Sequence, residues 1–257
     1  MKIQYCSDLH LEFKENRHYF EMYPIVPAGD ILIIAGDLCY LEQIEYPEIT
    51  AFFRILSDSF QAVYYIPGNH EFYGTTDIAL LDKPLYSKIM DNVFFVNNYV
   101  ERIDNIVLVL SALWSNLYSG AIPLIKAKLN DFHLIRYNDD RLTVELYNRL
   151  HQESVNFLRK TLGQCKPDDN IVVVTHHLPS FDCIAPEFEN SPLNLAFASN
   201  LNGFIEESNI RYWIYGHSHS NVPGKVIGQT RLLSNSLGYV SIEEHHLFNS
   251  KATIEIV

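Results

Sequence analysis

Nothing in this chain is apolar for long enough to cross a bilayer as a helix, which takes about 20 residues. No basic start with an apolar core precedes the first strand-like run, Met1–Cys6, so neither a membrane anchor nor a secretory leader is expected. Cysteine is scarce and scattered. Cys6, Cys39, Cys165 and Cys183 form no C-x-x-C pair, which speaks against a zinc ribbon or a disulfide framework and suits a cytoplasmic setting. Positive charge is short too, with 19 Lys and Arg against 31 Asp and Glu and a formal net charge of -12. Such a field repels polyanions at long range, so a general nucleic-acid binder is not expected. Repeats, low-complexity tracts and an obvious linker are also missing, and residues 1–257 read as one domain.

What is present is a series of short apolar runs that end in polar or glycine-containing turns. Strands are predicted at Lys2–Cys6, Ile31–Ala35, Ala62–Ile66, Val93–Val96, Ile106–Ser111, Ile171–Thr175, Tyr212–Tyr215, Arg231–Ser234 and Ala252–Val257. Helical spacing marks Ile44–Ser59, with Pro47 near its first turn, then Leu142–Leu162 and Leu193–Ser208. This alternation implies an α/β sandwich with helices outside the sheets. The least regular stretch is Trp114–Asn138, with its Asn130-Asp131-Phe132-His133 cluster. Two readings stand for it, a cap over a site or an ordinary helical excursion.

Residues that bind metals recur where the predicted strands end. The first strand runs into Cys6-Ser7-Asp8-Leu9-His10, with Asp8 and His10 two apart, which in an extended segment puts both side chains on one side. The second ends in Gly36-Asp37 and the third in Pro67-Gly68-Asn69-His70-Glu71. Later strands end in His176-His177 and in Gly216-His217-Ser218-His219. Each piece alone is a turn or a helix cap more often than a ligand set. Five such groups in one chain are different, because α/β sheets place ligands outside the carboxyl ends of their strands, where these groups converge. Imidazole nitrogen mixed with carboxylate and amide oxygen suits Mn, Fe, Zn or Co better than Ca or Mg. Seven ligands are too many for one such ion and suit two that share a carboxylate.

As an ordered set, Asp8-x-His10, Gly36-Asp37, Gly68-Asn69-His70-Glu71, His176 and Gly216-His217-x-His219 resemble the calcineurin-like metallophosphoesterases. That resemblance implies a sandwich of two mixed β-sheets flanked by helices. It implies one metal on Asp8, His10, Asp37 and His219, and a second on Asp37, Asn69, His176 and His217. It also implies that His70 faces the substrate as general acid. The expected activity is hydrolysis of a phosphomonoester or phosphodiester, using a hydroxide made available by two divalent or trivalent transition ions. A small phosphorylated substrate is expected, with nucleic acid unfavoured. The protein serine/threonine phosphatases of this family carry a second aspartate and an arginine after the bridging carboxylate. Here Gly36-Asp37-Leu38-Cys39-Tyr40-Leu41-Glu42 has neither, so another residue must orient His70.

Other features rank lower. His177 either touches substrate or caps its turn. Tyr40, Phe72, Tyr73 and Trp114 offer an aromatic wall but read first as core. Arg136 and Arg211 read as solvated rather than phosphate-binding. Glu243-Glu244-His245-His246 reads as a solvated turn rather than a second metal patch. The turn Ser234–Tyr239 is placed near the metals by the resemblance. Two other readings compete with a small-molecule hydrolase. One is a nuclease of the same family, against which the acidic balance and the absence of a basic module after His219 both count. The other is a non-catalytic metal-binding scaffold, against which the complete ligand set counts.

Overall fold

Two six-stranded sheets lie face to face in the computed structural model, which describes residues 1–256. The first sheet is built from β1 (Lys2–Cys6), β2 (Ile31–Ala35), β3 (Ala62–Ile66), β4 (Leu85–Met90), β5 (Val93–Asn97) and the C-terminal strand β14 (Thr253–Glu255). Its order is β14-β1-β2-β3-β5-β4. The second contains β6 (Tyr99–Ile103), β7 (Ile106–Ser111), β10 (Asn170–Thr175), β11 (Ile210–Tyr215), β12 (Lys225–Ile227) and β13 (Thr230–Ser234). Its order is β12-β13-β11-β10-β7-β6. Each sheet is mixed in the same way, with four parallel strands inside and one antiparallel strand at each edge. A short hairpin, β8 (Arg136–Tyr137) and β9 (Asp140–Arg141), stands apart.

The inner parallel strands are largely apolar because both their faces are covered. Alternate residues of β1, β2 and β3 (Ile3, Tyr5, Ile31, Ile33, Tyr64, Ile66) meet Leu108, Leu110, Val172, Val174 and Ile214 of the second sheet in a shared central core. The opposite residues, among them Leu32, Ile34, Val63 and Tyr65, pack under helices α1 (Lys14–Met22) and α2 (Pro47–Ser59). On the far side, Val107, Val109, Val173 and Trp213 pack under α5 (Val144–Leu162) and α6 (Asn202–Glu206). Each fully buried aliphatic side chain contributes about 1.5–3 kcal/mol. Helix α5 starts where the Thr143 hydroxyl accepts from the Leu146 N–H, and it stops at Gly163.

The expected strands occur at their expected places, to within two residues at each end. Only Val257, the last residue of the expected final strand, lies outside the described residues. Strands β4, β6 and β12 and helix α1 were not anticipated: the three strands are edge strands with exposed residues and little alternation, and α1 is mostly polar. The expected helix Leu193–Ser208 is instead a 3-10 turn, Pro192–Ala196, followed by the short α6. Between them Leu178 takes the backbone, donating to Phe197 O at 3.0 Å and accepting from Ser199 N at 3.0 Å. A helix cannot pass through residues whose peptide groups are already spent on a neighbouring segment. The stretch Trp114–Asn138 holds α3 (Ile122–Lys128) and α4 (Asp131–Leu134) over a separate core of Phe72, Trp114, Ile125, Phe132 and Tyr147. Among the described residues, no helix is long and apolar enough to cross a membrane.

Candidate metal centre

Because the inner strands of each sheet are parallel, their carboxyl ends share one edge, and the two edges are tied to each other. Ser7, just after β1, donates its N–H to Asn235 O and accepts from Leu237 N, both at 3.1 Å, so the turn after β13 is sewn to the other sheet. The His176 ring donates from Nδ1 to Ala35 O at 2.9 Å, across the sandwich. All seven expected ligands thereby meet at one place. Five of them sit in the left-handed region, with φ of 54° at Asp8, 48° at His10, 54° at Asp37, 70° at His217 and 49° at His219. Few non-glycine residues adopt this conformation, and it concentrates where function holds the chain against its preference. Asp8 and His10 therefore converge through a left-handed turn, not through the strand alternation expected for them.

Two groups of the expected ligand atoms result, and His10, Glu12 and His70 form a further cluster beside them. One atom each from Asp8, His10, Asp37 and His219 lies within 4.8 Å of the others, and so do atoms of Asp37, His176 and His217. In the first group, His10 Nδ1–H is bonded to Glu12 at 3.0 Å and His219 Nδ1–H to Glu244 at 2.7 Å. A carboxylate only accepts, so each ring has a proton on Nδ1 and turns Nε2 inward. Burial lowers the His10 pKa and keeps that ring neutral. The two Nε2 atoms stand 2.9 Å apart. Two ligands at about 2.1 Å from one ion, at right angles, are separated by roughly 3.0 Å. The fit to a cation is close.

In the second group, the Ala35 carbonyl fixes the His176 proton on Nδ1 in the same way, leaving Nε2 at 3.4 Å from Asp37 Oδ2 and 3.2 Å from Asn69 Oδ1. Burial opposes charge on the His176 ring, but the adjacent Asp37 outweighs it and raises the pKa to about 10. Asn69 is oriented from behind, its Nδ2 donating to Tyr73 Oη at 2.8 Å and Asp131 Oδ1 at 2.9 Å. Asp131 comes from the 114–138 stretch, so that stretch reaches the centre. His217 stacks on Phe197 with ring centroids 4.5 Å apart, and burial holds its pKa well below the ordinary value. Among the described residues, its buried Nε2 has no hydrogen-bond partner.

His70 lies beside the first group and outside both. Its backbone N–H donates to Asp37 Oδ1 at 2.9 Å, and its Nδ1–H donates to Glu12 Oε1 at 2.8 Å. Burial alone would lower the His70 pKa, yet the Asp37 charge and the Glu12 hydrogen bond raise it to about 9. Nε2 faces Tyr239 Oη at 3.3 Å, and Tyr73 packs against the ring at 4.2 Å between centroids. Glu12 is therefore the orienting group that the missing second aspartate left open. One oxygen serves both His10 and His70. Sequence reasoning passed over it, although Asp8-x-His10-x-Glu12 continues the two-residue spacing.

Glu71 does structural work. Its buried carboxylate accepts from Gly68 N at 2.7 Å, Leu38 N at 2.8 Å and Asp37 N at 3.2 Å, and from the Tyr65 hydroxyl, locking the Asp37 turn to the Asn69 turn. Gly68 allows this closeness: an added Cβ would stand 2.6 Å from His176 Nε2 and nearer still to Asp37 Oδ1. His177 is wholly buried, bonded to Tyr147 Oη at 3.2 Å behind His217, so it does not reach the substrate side. Phe72 and Trp114 are core, whereas Tyr40 and Tyr73 flank His70. The Arg136 and Arg211 side chains donate to Asp139 O and Asn170 Oδ1, and among the described residues neither is bonded to an expected ligand. Within Glu243–His246, expected as a solvated turn, Glu244 departs by bonding His219.

The centre opens into a cavity of about 820 Å³ with Asp37, Asn69, His70, His217 and His219 at one end. Lys128 to Asp131 contribute to its wall. Residues 1–221 match the calcineurin-like phosphoesterase family model. An uncharacterized protein of Acanthamoeba polyphaga mimivirus is 30% identical across 99% of this chain and 96% of its own length. In fold, the chain is similar to a phosphopantetheinyl hydrolase of Mycobacterium tuberculosis (TM-score 0.70, 19% identity, 98% of this chain and 95% of the other). It is also similar to a dimetal phosphatase of Danio rerio (TM-score 0.55, 14% identity, 92% and 87% covered). Two mixed sheets with metal-capable clusters at their shared edge and a family match over most of the length agree: this chain belongs to the calcineurin-like phosphoesterase family, the metal-dependent hydrolases of phosphate esters.

Proposed function

We propose that this chain hydrolyses small phosphomonoesters or phosphodiesters with a pair of transition ions and a histidine acid. Asp8, His10, Asp37 and His219 would hold one ion, Asp37, Asn69, His176 and His217 the other, with Asp37 shared. One observation carries the reading: the inward Nε2 atoms of His10 and His219 face each other at 2.9 Å, each ring's Nδ1 proton being engaged by a carboxylate on the other side. Two ring nitrogens turned to one point at that spacing are placed to share a cation. Nitrogen and oxygen donors together suit Mn, Fe or Zn. Bound there, such ions supply Lewis acidity, lowering the pKa of water and offsetting charge on phosphoryl oxygens.

The chain's own groups do the rest. The Glu12 hydrogen bond holds a proton on His70 Nδ1 and favours the imidazolium, the form a general acid needs. As imidazolium it gives the Nε2 proton to the departing oxygen and becomes neutral, its Nδ1–H still held by Glu12. Tyr239 and Tyr73 fix the ring's plane. Residues 1–257 are read as one domain because the two sheets share a single core. Four free cysteines accord with a cytoplasmic protein.

The test is a comparison at equal Mn concentration and moderate salt of aryl phosphodiester, aryl phosphomonoester, cyclic nucleotide, a phosphopantetheine ester, phosphopeptide and plasmid DNA. The phosphopantetheine ester is included because the mycobacterial neighbour is named for it. The small esters are expected to be turned over and the polymers to be poor. A kcat/KM for plasmid or phosphopeptide well above every small ester would replace this reading with the nuclease or protein-phosphatase one. No turnover of any ester by protein holding two ions would leave a scaffold.

A further inference from the structure

The cavity is much larger than a phosphate group needs, and the part beyond the metal centre has its own character. Its apolar wall begins at a metal-capable residue, since the Phe197 ring stacks on His217 at 4.5 Å and 27°. From there the lining continues through Leu193, Ile184 and Phe188, with Leu129 and Val222 completing it. The wall is preformed. Asn194 donates from Nδ2 to Phe188 O at 2.7 Å and Glu189 O at 3.2 Å, tying the turn Pro186–Phe188 to the turn Pro192–Ala196.

Charge decides what the wall accepts. Among the described residues that line the cavity, Lys128 is the single lysine or arginine, against Asp37, Asp131, Glu187 and Glu244. Asp131 and Glu244 are already bonded to Asn69 and His219, and Glu187 is exposed beside Phe188. A second anionic group on the ligand would meet carboxylates and no guanidinium. An apolar arm would cover side chains that are now half-exposed.

We infer that this cavity binds an uncharged, largely aliphatic arm attached to the phosphate, so that the substrate is a phosphate ester of a neutral extended molecule rather than of a nucleotide polyphosphate or an acidic peptide. The assignment takes the phosphoester reaction proposed above as given and names its substrate class. Aliphatic contact is worth about 0.8 kcal/mol for each methylene buried, which is roughly a fourfold change in affinity.

The experiment measures binding, so it does not depend on turnover. Methyl-, butyl- and hexylphosphonate, which cannot be hydrolysed, are titrated calorimetrically into the full-length Mn-loaded protein. A hexyl chain ending in carboxylate is the charged control. Kd is expected to tighten about two- to fourfold per methylene, with the carboxylate-ended chain at least about tenfold weaker than hexyl. Phe188→Ala should flatten the dependence on length; Phe188 is 53% exposed, so the change spares the core. A Kd independent of length, or a carboxylate-ended chain that binds as tightly as hexyl, overturns the inference even if small esters are hydrolysed. Length dependence with no ester hydrolysed would keep the arm site and remove the catalytic reading instead.

Discussion

Replacing Gly68 with alanine isolates the closeness of the two metal-capable turns. Its backbone lies outside the left-handed region, so the change adds a methyl group without straining φ. That methyl would stand 2.6 Å from His176 Nε2 and Cε1, and closer to Asp37 Oδ1, where contacts under 3.0 Å essentially do not occur. Asp37 and His176 would have to part from it by up to roughly 1 Å, and displacements of that size cost about a hundredfold in rate. Asp37 Oδ1 also receives the His70 N–H at 2.9 Å, so the acid moves with the ligand. Overpacking costs about 1–3 kcal/mol, offset by about 0.4–1 kcal/mol from the stiffer unfolded chain. For a chain of this length that lowers Tm by at most about 10 °C. The expected phenotype is therefore a folded protein with about a hundredfold lower kcat/KM and fewer than two ions bound. Elemental analysis, aryl phosphoester kinetics and a thermal melt measure the three quantities. Gly203→Ala, where nothing lies within 4 Å of the added Cβ, is the control. Gly68→Ala with unchanged metal content and rate would refute the convergence of Asp37 and His176 on one ion.

Asp37→Ala should lose both ions, because its carboxylate belongs to both groups; retention of either, read by elemental analysis, would count against a shared ligand. His70→Asn should keep metal and lower kcat by about 10²–10⁴-fold on esters with poor leaving groups, with a smaller defect on aryl esters. Equal losses on both would remove the acid role. Glu12→Gln should shift the same leaving-group dependence, since Glu12 holds His70 Nδ1, and no shift would make its contact with His70 incidental. In EDTA, pH should act through His176 and His70, whose pKa values rise from 6.5 to about 10 and about 9 in the fold. Groups raised in this way stabilise fully below pH 6.5 and lose that contribution as pH climbs through the folded values, so the metal-free Tm should fall between pH 6.5 and 10. A metal-free Tm that rises across this window would contradict the His176–Asp37 and His70–Glu12 pairings.

Much of this protein was legible without coordinates because its information is local. An apolar run covered on both faces, such as Ile31–Ala35, announces itself by composition, and the turn after it announces itself by Gly36-Asp37. Asp8, His10, Asp37, Asn69, His176, His217 and His219 could be chosen because each follows a strand. Edge strands β4 and β6 could not, since one exposed face removes the apolar continuity on which the signal depends. The groups behind the ligands were equally hidden. Glu12, Asp131 and Glu244 are ordinary carboxylates in sequence and acquire meaning only by standing within hydrogen-bonding distance of His10, Asn69 and His219. The sequence determined which residues could bind metal, through residue type and strand-end position. Only the tertiary structure decided which nitrogen of each ring faces inward and what lines the cavity, because both depend on partners distant in the chain, as Ala35 is 141 residues from His176.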